Sequence, residues 1–67
     1  MSVAKVTEIT ASSTTSFDDA IKQGLRRAEK TLKNIEGAWI KGQKLVVRKG
    51  KIAEYRVLMK VTFVLTD

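Results

Sequence analysis

The stretch that decides the fold is Ser16–Gly37, SFDDAIKQGLRRAEKTLKNIEG. Phe17, Ala20, Ile21, Gly24, Leu25, Ala28, Leu32 and Ile35 recur at spacings of three and four, which makes one apolar stripe along a helix. Lys22, Arg26, Lys30 and Lys33 fall on the remaining faces. Ser16 stands as the N-cap, and Asp18 and Asp19 follow in the first turn, where the helix dipole favours negative charge. Ser16-Phe17-Asp18-Asp19 is a capping box with Asp in place of Glu or Gln. Gly24 inside the stripe costs the helix about 1 kcal/mol relative to Ala, so its position predicts a close helix–sheet contact. Asn34 and Gly37 are expected to close the helix.

Strands flank this helix. Val3–Thr10 reads as a β-rich opening strand, and Ala11–Ser16 as a polar break. Downstream, Ala38–Val47 and Ile52–Leu65 read as two strands joined by the short turn Arg48-Lys49-Gly50-Lys51, with Gly50 supplying positive φ. Tyr55, Val57, Met59, Val61, Phe63 and Leu65 are apolar at every other position. The expected fold is α+β: a β-α-β-β subunit whose three-stranded antiparallel sheet carries one helix on one face. A last strand of about fourteen residues would run near 45 Å, more than one helix covers. Another copy of the chain would have to cover part of it, or its edge would invite aggregation.

The chain has 67 residues, read as a single domain, 1–67, with no repeat, linker or proline. A chain this short buries only about 60% of its unfolded surface. With no Cys and no His, it has neither disulfides nor an imidazole or thiolate zinc site, and Ser-His-Asp and Cys-His catalysis are excluded. Oligomerisation is the remaining way to stabilise it. Thirteen Lys+Arg against seven Asp+Glu give a net charge of +6, a bias toward anionic partners. No apolar run approaches the roughly 20 residues of a membrane span, and the start lacks the apolar core of a signal peptide. The lack of Cys agrees with a cytoplasmic setting.

Period two puts Ala38 and Ile40 on the helix side of the sheet. Gly37, Trp39, Lys41, Gln43 and Arg56 then fall on the opposite face. Trp39 there reads equally as a subunit-interface residue and as a stacking platform for an aromatic ligand. Gln43 is either a surface amide or a donor–acceptor for a heterocycle edge, and Arg56 either an ion-pair partner or a phosphate contact. Asp18 and Asp19 are better read as caps than as an acid/base pair. The remaining carboxylates are scattered, although a calcium site shared between subunits stays open. The glycines fit no phosphate-binding loop, and no enzymatic activity is expected. Apart from Trp39, the aromatics belong to the core, which argues against specific nucleic-acid recognition.

The order of these elements, with Ser16-Phe17-x-x-Ala20, Arg27-Ala28-x-x-Thr31-Leu32, Ile52-x-Glu54-Tyr55-Arg56-Val57 and Lys60-Val61-Thr62-Phe63, resembles the dodecin family over about residues 3 to 65. The resemblance implies assembly into a hollow homododecamer that binds riboflavin or FMN at two-fold axes, storing and quenching the flavin without turnover. It also implies that a Trp at the start of the second strand sandwiches the isoalloxazine. Counted without gaps that position is Gly37, and Trp39 lies two residues on, on the same face by period two. A two-residue shift in the helix–strand connection would restore the match. Arg56 stands where the family usually has Gln, and Lys44 matches a position where some members place a basic residue near the flavin phosphate. The resemblance thus nominates Trp39, Arg56 and Lys44 as cofactor-binding residues, and the strand-face reading adds Gln43. Some relatives lack the Trp, and some are linked to calcium. The alternative is therefore a shell that binds another phosphate-bearing ligand or a divalent cation.

Overall fold

The computed structural model describes residues 3–65. Strand β1 (Val3–Ser13), helix α1 (Phe17–Glu29), strand β2 (Ile35–Arg48) and strand β3 (Lys51–Leu65) form one antiparallel sheet of order β1-β3-β2 with the helix on one face. This is the β-α-β-β arrangement expected from the sequence. The last strand, however, is central. The open edges belong to β1 and β2, so the edge in need of cover is not that of β3.

Ser16 caps the helix as expected: in extended backbone, its Oγ accepts from the Asp19 N–H at 3.0 Å. The capping box is only half formed. Asp19 turns outward to accept from Ser13 Oγ and Gln23 Nε2, each at 2.6 Å. Ser13, buried, accepts in turn from the Thr15 N–H at 2.9 Å and the Ser16 N–H at 3.4 Å. The polar break is correspondingly shorter than expected, because Ala11, Ser12 and Ser13 pair with Val57, Arg56 and Tyr55 and extend β1.

The helix ends at Glu29, not near Ile35. Its last bonds tighten, with the Lys30 and Thr31 N–H groups donating to the Arg27 and Ala28 carbonyls. Asn34 then takes φ 62° and its carbonyl accepts from the Val64 N–H at 3.0 Å, which turns the chain into the sheet. Leu32 and Ile35 prolong the helical spacing by coincidence, and Ile35 pairs with Phe63 instead. Gly37 is accordingly a strand residue and not a helix terminator. The β2–β3 turn has positive φ at both Lys49 (52°) and Gly50 (74°), the backbone of a two-residue turn that matches strand twist.

Val57 and Met59 are fully buried in one cluster with Ala20, and Val61 further along the strand is fully buried too, in keeping with the alternation read along the last strand. Ile9, Ala11, Phe17, Ile21, Leu25 and Ile40 pack around them, and Phe17 meets Tyr55 edge to face at 5.2 Å. The helix buries Ala20, Gly24 and Ala28, a stripe of small residues that brings its backbone close to the sheet. Cover is nevertheless incomplete. A helix of 13 residues spans about 20 Å, whereas the 15 residues of β3 span about 50 Å. The molecule measures 51 × 19 × 14 Å with a radius of gyration of 13.8 Å, against about 11 Å for a compact chain of this length. Val3, Val6, Leu45, Val47, Ile52 and Leu65 are left exposed.

Candidate functional site

The sheet face turned away from the helix is set by the register on β3. Residues paired across a ladder point to the same side, so Lys60, Leu58 and Arg56 define this face, opposite in sense to Met59 and Val57. Their partners are Glu8, Thr10 and Ser12 on β1 and Trp39, Gly42 and Lys44 on β2.

Trp39 is therefore where period two places it, and at 71% exposure it is the most exposed large apolar side chain among the described residues. Gly37 pairs with Thr62, one step along the same face, so both positions nominated for the aromatic platform look outward. A Cβ on Gly37 would meet nothing within 4 Å.

Gln43 and Lys44 exchange faces relative to the strict alternation. A bulge between Ile40 and Gly42 inserts Lys41 as an extra residue in β2. Beyond it Gln43 pairs with Val57, in register with the helix side, while Lys44 pairs with Arg56 on the Trp39 side. Arg56 lies on the expected face but is already engaged. Its Nη2 meets Glu54 Oε1 at 3.4 Å and its Nε donates to Ser12 Oγ at 3.3 Å. Glu54 also meets Arg48 at 3.8 Å.

A shallow groove of about 280 Å³ runs along this face, lined by Thr10, Gly42, Gln43, Lys44, Arg56 and Leu58. Its volume lies at or below the lower end, roughly 300 Å³, of small-molecule sites. Lys60, opposite Trp39, and Arg56 are four residues apart on β3, roughly 13 Å. An exposed indole and two cations thus share one strip of surface. Thr10, Leu58, Lys60 and Glu8 escaped the sequence reading as site residues because only the ladder register brings β1 and β3 to Trp39. Lys60 Nζ sits 5.9 Å from the Trp39 ring centre, and Glu8 Oε1 meets Lys41 Nζ at 3.4 Å. A larger groove of about 520 Å³ lies between α1 and the open edge of β1, with Ile9, Ala11, Gly24, Ala28 and Leu32 in its wall. It is remote from Trp39. Among the described residues no three Asp, Glu, His or Cys side chains gather as a metal site, and no helix is long and apolar enough to cross a membrane.

These features define a class: a small α+β domain with two open sheet edges, uncovered apolar ends and an exposed aromatic beside cations on its bare face. The chain belongs to the Dodecin family, whose sequence model matches residues 3–66. Solved structures agree. Dodecin from Streptomyces davaonensis is 33% identical with a TM-score of 0.94, covering 98% of this chain and 97% of that one. A single-substitution variant of Thermus thermophilus dodecin is 28% identical with a TM-score of 0.94 and full coverage of both chains. A calcium dodecin from Mycobacterium tuberculosis, described as having a novel calcium-binding site, is 28% identical with a TM-score of 0.84, covering 96% and 91%. Among curated proteins none matches the chain.

Proposed function

We propose that the chain assembles as a homododecamer and binds a flavin, riboflavin or FMN, against Trp39, storing or buffering it in the cytoplasm without catalysing its turnover. The observation that carries this reading is the exposure of Trp39 on the face away from the helix. An indole in that setting is a stacking surface awaiting a planar partner, and aromatic rings prefer offset stacks with one another. The groove beside it is too small and too open to hold a tricyclic ring alone, so a second copy is needed to close the site. The uncovered apolar ends and the groove along β1 give that copy somewhere to pack. In this reading Lys44 and Arg56 bias the site toward a ligand carrying a phosphate, and Gln43 borders the groove.

The adjacent cations also favour a second reading, a shell of the same build that takes a phosphate-bearing ligand other than flavin. A divalent cation, as in the Mycobacterium relative, would need carboxylates from more than one copy. Absorbance of the purified protein separates these readings. A yellow protein of dodecameric mass that releases flavin on denaturation supports the first. A colourless dodecamer that fails to take up added riboflavin or FMN rejects it, and uptake of a phosphate-bearing nucleotide then supports the second.

A further inference from the structure

We infer that Lys60 selects the charge of the ring that Trp39 accepts, favouring planar ligands with electron-rich acceptor edges and rejecting planar cations. The inference rests on Trp39 being a stacking surface, and it names a specificity-determining residue for that site.

The ladder register aligns Glu8, Lys60 and Trp39 as one row across β1, β3 and β2. Lys60 Nζ lies 5.9 Å from the indole centre, within cation–π range. Among the described residues no carboxylate comes within 4.0 Å of it, and Glu8, its cross-strand neighbour, meets Lys41 at 3.4 Å instead. The row plus Lys41 therefore carries one negative and two positive charges, a local excess of one cation beside the ring. The indole remains 71% exposed, which leaves a ring-sized surface for a ligand next to that ammonium. Lys60 Nζ sits over the ring, so a ligand that stacks on that face moves the flexible ammonium aside to its own edge. Carbonyl oxygens or negative charge on that edge gain a charged hydrogen-bond donor, and a cationic ring meets a like charge.

The test compares wild type with Lys60→Met, which keeps the aliphatic stem and removes the charge, and with Lys60→Arg, which restores a cation. Oligomer mass is checked in all three. Trp39 is the chain's only tryptophan, so intrinsic fluorescence reports this site alone. In ligand-free protein, iodide should quench Trp39 less in Lys60→Met than in wild type or Lys60→Arg, with acrylamide quenching unchanged. Riboflavin and proflavine, a cationic ring of similar size, are then titrated. Lys60→Met should weaken riboflavin and strengthen proflavine by about two- to fivefold each, the range of an exposed cation–π contact, and Lys60→Arg should restore the wild-type preference. Wild type that binds riboflavin with a riboflavin-to-proflavine ratio unchanged in Lys60→Met overturns the role of Lys60 and leaves the flavin reading standing. Iodide quenching unchanged in Lys60→Met overturns it equally. If neither ring binds wild type, the stacking reading falls and this inference with it.

Discussion

Replacing Gly24 with alanine sets two effects of known sign against each other. In a helix interior, Ala is favoured over Gly by about 1 kcal/mol, so propensity alone calls for a more stable protein. Packing opposes it. A Cβ on Gly24 would lie 2.5 Å from Met59 Cε and 2.9 Å from Ala11 Cβ. Unstrained carbon contacts sit at about 3.5–4.0 Å, so both neighbours must give way. Met59 Cε ends a flexible side chain, but that side chain is fully buried in a cluster with Val57 and Ala20. Ala11 Cβ is fixed to β1, whose backbone pairs with Val57, and it cannot rotate aside. Lifting the helix to make room falls in the range of overpacking costs, about 1–3 kcal/mol. The net expectation is a loss of about 1 kcal/mol, and more for Gly24→Val, which adds two methyl groups beyond the Cβ. The assay is guanidinium unfolding at one fixed protomer concentration, because assembly shifts apparent stability by mass action. A cycle with Met59→Ala, which removes the Cε, should show favourable coupling between the two sites. If Gly24→Ala instead stabilises by the full 1 kcal/mol of its propensity, the close helix–sheet approach is wrong.

Other expectations follow from the helix entry and the bare face. Ser13→Ala removes a buried hydroxyl that serves Asp19, Thr15 and Ser16, and should cost about 1–3 kcal/mol. Ser16→Ala removes only the cap and should cost about 1 kcal/mol, so the order of the two unfolding midpoints checks which serine anchors the helix start. Gly37→Trp enters open space on the Trp39 side and should leave the unfolding midpoint nearly unchanged. Paired with Trp39→Ala, it should restore any flavin binding lost by the single substitution, as a riboflavin titration would show.

The parts of the fold that rest on local chemistry were legible in the sequence. Ser16 announces the helix start, the Tyr55–Leu65 alternation announces the core strand, and Lys49-Gly50 announces a tight turn. The helix end was not legible, because Leu32 and Ile35 keep the apolar spacing while the chain leaves the helix at Glu29. Only the non-local pairing of Ile35 with Phe63 decides against continuing it. The site divided in the same way. Trp39 and Arg56 lie before the bulge or on the regular strand, and simple alternation places them correctly. Lys41 is an ordinary lysine to any periodic reading, yet as the bulged residue it reverses the faces of Gln43 and Lys44. Lys60 stood in a mixed face whose meaning depends on which strand lies alongside, and the position of β3 between β1 and β2 supplies that.

The central claim is that Trp39 is a ligand platform and not merely an interface residue. The most direct measurement is a fluorescence titration of riboflavin into wild type and Trp39→Ala, with oligomer mass determined for both. Stacking on an aromatic side chain is worth roughly 1–3 kcal/mol per ring, so the variant should remain dodecameric while binding some ten- to a hundredfold more weakly. It should also relieve the quenching of flavin fluorescence that a stacked indole causes. A dodecameric Trp39→Ala that binds and quenches riboflavin as well as wild type would contradict the account.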